Sequence, residues 1–156
     1  MKNHYSPNNS WTNEVWGLHV DGDVVYSCSD DATLRLWSIR ERTLLAIASL
    51  NLVEDPKKRN EWIERPKDSK TNDFYDSSKG RSVAVSPDQK FVIVGCKDGT
   101  VRIFSLDFTK NKYSVKMFQI FKHAREWISE IKFGYNMLIV GSHDNGIYVY
   151  DYDPEN

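Results

Sequence analysis

The chain has 156 residues, 40% of them apolar and 13% aromatic, enough for one ordinary domain with a hydrophobic core. A net charge of -1 gives no overall pull toward nucleic acid, so any electrostatic argument must be local. No apolar run is long enough for a signal peptide or a membrane span, and Cys28 and Cys96 sit in strand-like runs without metal-ligand spacing. The composition predicts a cytoplasmic protein with two buried thiols and no disulfide, metal or cofactor, binding neither nucleic acid nor membrane.

In chain order, residues 1–13 read as an N-terminal extension. A first unit, 14–50, strings together "VWGLHV", "DVVYSC", "ATLRLW" and "TLLAIASL", four short alternating strands with a polar turn between the second and third. Residues 51–79 interrupt the pattern. From Glu54 to Gly80 there are seven acids, seven bases, two prolines and almost no aliphatic residues, so this stretch reads as a solvated inserted loop. Its aromatics Trp62, Phe74 and Tyr75 could serve as a short docking motif. A second unit, 80–121, follows with "RSVAVS", "FVIVGC", "TVRIF" and "YSVKMFQIF". A third, 122–152, holds "WISEIKF", "NMLIVGS" and "IYVYDYD", and the polar tail 153–156 cannot supply its fourth strand.

The three units align on Asp31, Asp98 and Asp144, spaced 67 and 46 residues apart, and the insertion accounts for the difference. Thr33 and Thr100 follow two positions after the first two aspartates, and Trp37, Phe104 and Tyr150 close the units six positions after each. Each core is a β-hairpin around a tight Asp turn. Four antiparallel strands every forty-odd residues are the signature of a propeller blade. The expected fold is all-β, a partial β-propeller of about three four-stranded blades whose last blade lacks its outer strand. Closed propellers use about four to eight blades. An isolated three-blade chain is expected to be marginal, or to pair with a second copy.

With these residues in view, the chain resembles the WD-repeat family, whose blades carry a Ser-x-Asp-x-Thr-x-x-x-Trp-like core. Ser29, Asp31, Thr33 and Trp37 match it in full; Asp98, Thr100 and Phe104 match in part, with Cys96 at the Ser position; Ser142, Asp144 and Tyr150 match again, with Gly146 replacing Thr. The family's His before the inner strand, which bonds the turn Asp, has its plausible counterpart in His123. "NEVWGLHV", then "HAREWISEIKF" and "VGSHDNGIYVYDYD" in that order are similar to the echinoderm microtubule-associated protein-like family over roughly residues 12–152. That resemblance implies a non-enzymatic cytoskeletal module with tubulin or microtubules as partner.

Ser142, His143 and Asp144 invite a catalytic triad reading, but adjacent residues entering a turn point apart, whereas a triad must converge. The turn aspartates read instead as acceptors of backbone N–H groups. Asp30, Lys97 and His143, each just before a turn Asp, are expected to be exposed and are candidate partner contacts. His123 reads as a buried structural histidine, with a ligand or pH-sensing role as the alternative. Trp16, Trp37, Phe104, Trp127 and Tyr150 read as blade-packing aromatics. Residues 81–132 carry ten Lys/Arg against five Asp/Glu, and Lys110, Lys112, Lys116, Lys122 and Arg125 are candidates for one basic patch meeting an acidic partner. Two functions compete: a microtubule-binding module, and a general scaffold for protein complexes, ciliary or regulatory, without direct tubulin contact. An enzyme is a third reading for which the sequence offers no site.

Overall fold

The computed structural model describes residues 14–65 and 78–153. Among the described residues thirteen strands form three fanned sheets and a small hairpin, and this all-β partial propeller is the expected fold. Blade 1 is β1 (Val15–Asp21), β2 (Val24–Ser29), β3 (Thr33–Ser38) and β4 (Thr43–Ser49), hydrogen-bonded in that order. After the hairpin β5 (Leu52–Glu54) and β6 (Trp62–Glu64), blade 2 is β7 (Gly80–Val85), β8 (Phe91–Cys96), β9 (Val101–Thr109) and β10 (Lys112–Phe121). Blade 3 has three strands: β11 (Ile128–Gly134), β12 (Met137–Ser142) and β13 (Ile147–Asp151).

The period-2 alternation of each strand decides which seam a residue fills. Cys28, Leu34 and Leu36 of blade 1 meet Val83, Val92, Val94 and Phe104 of blade 2 in one buried cluster. The opposite face of blade 2, with Ala84, Ile93 and Val101, packs on Ile128, Ile131, Leu138 and Val140 of blade 3. Blade 2 is covered on both faces, which is why its strands read as continuous apolar runs. The far face of blade 3 is open. Met137, Ile139, Ile147 and Val149 are exposed there, at the repeat positions that Val24, Tyr26, Leu34 and Leu36 occupy, all buried, in blade 1.

Two glycines set the closeness of the seams. A Cβ on Gly80 would lie 2.5 Å from Cys28 Cβ, and one on Gly95 would lie 2.3 Å from Ile128 Cγ2. The first seam thus fits Cys28 into the gap at Gly80, and the second fits Ile128 into the gap at Gly95.

Each inner strand carries a bulge at the same place. Val15 and Gly17 pair with Ser29 and Cys28, Gly80 and Ser82 with Cys96 and Gly95, and Ile128 and Glu130 with Ser142 and Gly141. Trp16, Arg81 and Ser129 are the extra residues, released from the ladder at the end of the blades where the Asp turns lie.

The insertion is more structured at its start than its composition predicts. β5 and β6 pair in register, and Arg102 Nη1 donates to the Leu52 carbonyl at 2.7 Å, docking the hairpin on blade 2. The correction comes from a tertiary partner: a buried arginine supplies what the local composition lacks. Trp62 is half-buried in this hairpin, while Phe74 and Tyr75 lie outside the described residues.

Candidate partner-binding face

The three Asp turns lie at one end of the blades. Asp31 accepts from the Thr33 amide at 3.0 Å and from its hydroxyl, and Asp98 does the same with Thr100. Asp144 accepts from the Gly146 amide at 2.7 Å. Ser29 and Ser142 accept the amides of Asp31 and Asp144, both at 3.2 Å. Each turn is tied further by a residue four positions after the Asp. Arg35 Nε reaches Thr33 Oγ1 at 3.2 Å, and Arg102 Nε reaches Thr100 Oγ1 at 3.1 Å. In the third turn, where Gly146 replaces Thr, the Tyr148 hydroxyl donates directly to Asp144. The signal for Arg35, Arg102 and Tyr148 was in the sequence: alternation along a strand puts the second and fourth positions after the Asp on one face.

Around Asp98 the tie becomes a network. Arg102, 1% exposed by its side chain, also donates to Ser78 Oγ at 2.6 Å; Ser78 donates to Asp98 at 2.9 Å; and Arg65 of the insertion lies 3.6 Å from the same carboxylate. Burial pushes the Asp98 carboxyl up, but its bonds from Thr100 and Ser78 and the Arg102 charge outweigh that and hold it below the ordinary value. At Asp144 the Tyr148 hydroxyl, then the Arg125 amide, bring the carboxyl down to about 2.

The closing aromatics behave differently in the three blades. Phe104 is fully buried between blades 1 and 2, and Tyr150 packs partly buried between blades 2 and 3. Trp37, on the far face of blade 1, is nearly buried and donates through Nε1 to Ser27 Oγ at 2.9 Å. Ser27 was not singled out from the sequence, because its counterparts Val94 and Val140 are apolar.

Four expectations are corrected. Asp30 is buried, 8% exposed, because its carboxylate pairs with Arg81 of the next blade. His123 is exposed and shares its bond with the Tyr150 hydroxyl, Nδ1 to O 2.8 Å, rather than with a turn Asp. Trp16, read as a packing aromatic, is 50% exposed. The basic stretch is not one patch. Lys112 pairs with Thr109 at one end of the β9–β10 hairpin and Phe121 pairs with Val101 at the other, nine residues away and roughly 30 Å distant. Lys110, Lys112 and Lys116 belong to the part of that hairpin running away from the Asp turns; Lys122 and Arg125 lie on the Asp-turn face.

That face also gathers residues from all three blades. The Arg81 guanidinium lies 4.6 Å from the Trp16 ring centroid and 5.0 Å from that of Trp127. Lys97 Nζ lies 4.9 Å from the Trp127 ring, and the His143 ring 5.3 Å from it. Two of the pre-turn residues singled out from the sequence, Lys97 and His143, thus meet on one indole. Their neighbour Lys122 lies against Gly99 of the second turn, and the Arg125 amide donates to Asp144 at 3.0 Å. Ser142, His143 and Asp144 do not converge: Ser142 Oγ donates to the Trp127 carbonyl at 2.9 Å, His143 leans on the Trp127 ring, and Asp144 serves the turn. Burial pushes the Cys28 thiol far up and that of Cys96 up to about 12, so neither is a nucleophile.

Comparison with known proteins agrees with this architecture. The WD40 family (WD domain, G-beta repeat) matches residues 3–38 and 72–105. A ciliary WD repeat-containing protein, ctxp80, of Euplotoides octocarinatus is 32% identical over 145 residues, covering 88% of this chain and 18% of that protein. The chain therefore spans less than a fifth of that relative's length. The solved structure of U3-55K superposes with a TM-score of 0.60 at 18% identity, and that of the RRP9 WD40 repeats with 0.60 at 19%, each covering 89% of this chain and 36% of the other. These likenesses show the shared fold.

Proposed function

Because the chain carries WD40 repeats, we propose that it is a non-catalytic interaction platform that presents its Asp-turn face to other proteins in a ciliary or cytoskeletal assembly. The observation that carries the reading is the convergence of Trp16, Arg81, Lys97, Trp127 and His143, drawn from three blades, at one end of a rigid scaffold. The ciliary relative supports the setting. Proximity labelling in a ciliated cell tests it: wild-type chain and a Lys97→Glu/His143→Glu variant should label different neighbours. Identical labelled sets would sink the reading.

The finer version is contact with tubulin in the cytoplasm, supported by the resemblance of "HAREWISEIKF" and "VGSHDNGIYVYDYD" to the echinoderm microtubule-associated protein-like family. Co-sedimentation with microtubules assembled from purified tubulin tests it. Reversal of Lys110, Lys112 and Lys116 to glutamate, set beside reversal of Lys97, Lys122 and Arg125, tells which end of the blades makes contact. No pelleting of the wild type would leave the scaffold role without tubulin.

A further inference from the structure

The Asp-turn face has a chemical bias that narrows the kind of partner it takes. Three basic side chains, Arg81, Lys97 and His143, surround one indole, Trp127. The carboxylate in contact with Arg81, that of Asp30, is buried and committed to it. Lys97, Lys122 and Arg125 make no ion pair among the described residues. Arg81 is itself about nine-tenths buried, yet its Nε has no hydrogen-bond acceptor among the described residues. An arrangement that only stitched the blades together would be complete with Arg81 between two indoles and Asp30 beneath it. The further basic groups at Trp127, Lys97 and His143, call for acceptors from outside, while the unanswered Arg81 Nε is itself closed off from solvent.

We infer that this cluster seats an acidic, extended peptide segment of a partner protein, its carboxylates meeting Lys97, His143 and the flanking Lys122 and Arg125 while its backbone lies across the half-exposed Trp16. This rests on the platform reading above and specifies the partner's chemistry. Cations held against aromatic faces are weakly hydrated and pre-positioned, so they pair with carboxylates at low ordering cost. A nucleic acid fits less well. Arg81 already covers one face of each indole, and Lys97 and His143 crowd Trp127, so successive bases find no stacking platform. Glu126, exposed and next to Trp127 in the chain, carries the opposing charge and gives the proposal a test of opposite sign.

The test titrates the whole 156-residue chain with a glutamate octapeptide and a glutamine octapeptide at low and high salt, read by tryptophan fluorescence and calorimetry. The glutamate peptide should bind in a salt-sensitive manner and the glutamine peptide should not. Lys97→Glu and His143→Glu should each weaken binding roughly tenfold, and Glu126→Gln should strengthen it about twofold to threefold. His143 and Glu126 are exposed, so their variants keep the fold even if Lys97→Glu does not, which circular dichroism checks. Equal binding of the two peptides, indifference to His143→Glu and Glu126→Gln, or tighter binding of poly(U) RNA than of the glutamate peptide would overturn the inference. If the glutamate peptide fails while proximity labelling still depends on Lys97 and His143, the platform stands and only its acidic preference falls.

Discussion

Three donors converge on the Asp144 carboxylate: the Tyr148 hydroxyl and the amides of Arg125 and Gly146. The resulting value of about 2 lies below the ordinary aspartate value of about 3.9, so the folded state prefers the charged form. Asp98 is shifted in the same direction. Their contribution to stability is complete above about pH 4 and is lost as the pH falls from there toward 2. Acid unfolding monitored by circular dichroism should show that window, and Tyr148→Phe should move the Asp144 carboxyl titration, followed by NMR, up toward the ordinary value. Arg102 is the other residue on which much depends. Its guanidinium holds Thr100, Ser78 and the Leu52 carbonyl, and Arg102→Ala would leave these groups and the Asp98 charge poorly answered. The expected cost is about 3 kcal/mol, read from the urea midpoint. At this scale the Asp-x-Thr core was legible in the sequence, because its bonds are local. The burial of Asp30 was not, because its partner Arg81 stands 51 residues away.

Among the elements, the strands and hairpins followed from alternation and turn residues. The tips Lys110–Asn111 and Tyr135–Asn136 have positive φ at both positions, matching two-residue turns whose twist suits a hairpin. What alternation did not show was the bulge on each inner strand. Without it Trp16 and Arg81 would stay in the ladder and could not meet across the seam. Strand length also undid the idea of a single basic patch, since residues close in sequence sit at opposite ends of a ten-residue strand. The tight approach of blades 2 and 3 gives a prediction of its own. Gly95→Ala would drive a methyl group into Ile128 and should cost about 1–3 kcal/mol, with Ile128→Ala relieving part of the clash in a double-mutant cycle followed by thermal melting.

For the molecule as a whole, the fold class was legible because three repeats of one pattern reinforce one another. Both terminal blades leave an apolar face open: Leu18 and Val20, which share the outer side of blade 1 with the nearly buried Trp37, are 67% and 61% exposed, and Ile147 and Val149 on the outer side of blade 3 are 75% and 56% exposed. The seam between blades 1 and 2 holds both cysteines, each with a raised thiol value through burial. Iodoacetamide at mildly alkaline pH should therefore leave the native chain unmodified by mass spectrometry. Both sites should become labelled together at the urea concentration that separates the blades, reporting whether the seam opens with global unfolding or before it.

The glycine gaps have a consequence for assembly. In the first seam the leading blade supplies the solid piece, Cys28, and the following blade the void, Gly80; in the second the leading blade supplies the void, Gly95, and the following blade the solid piece, Ile128. Blade 3 set directly on blade 1 would force Cys28 against Ile128. Blade 2 set on blade 3 would face Gly80 with Gly141, two empty notches. The seams work as locks cut to different keys, so two of the swapped pairings, blade 3 on blade 1 and blade 2 on blade 3, are disfavoured at the joint even though the blades are built from one repeat.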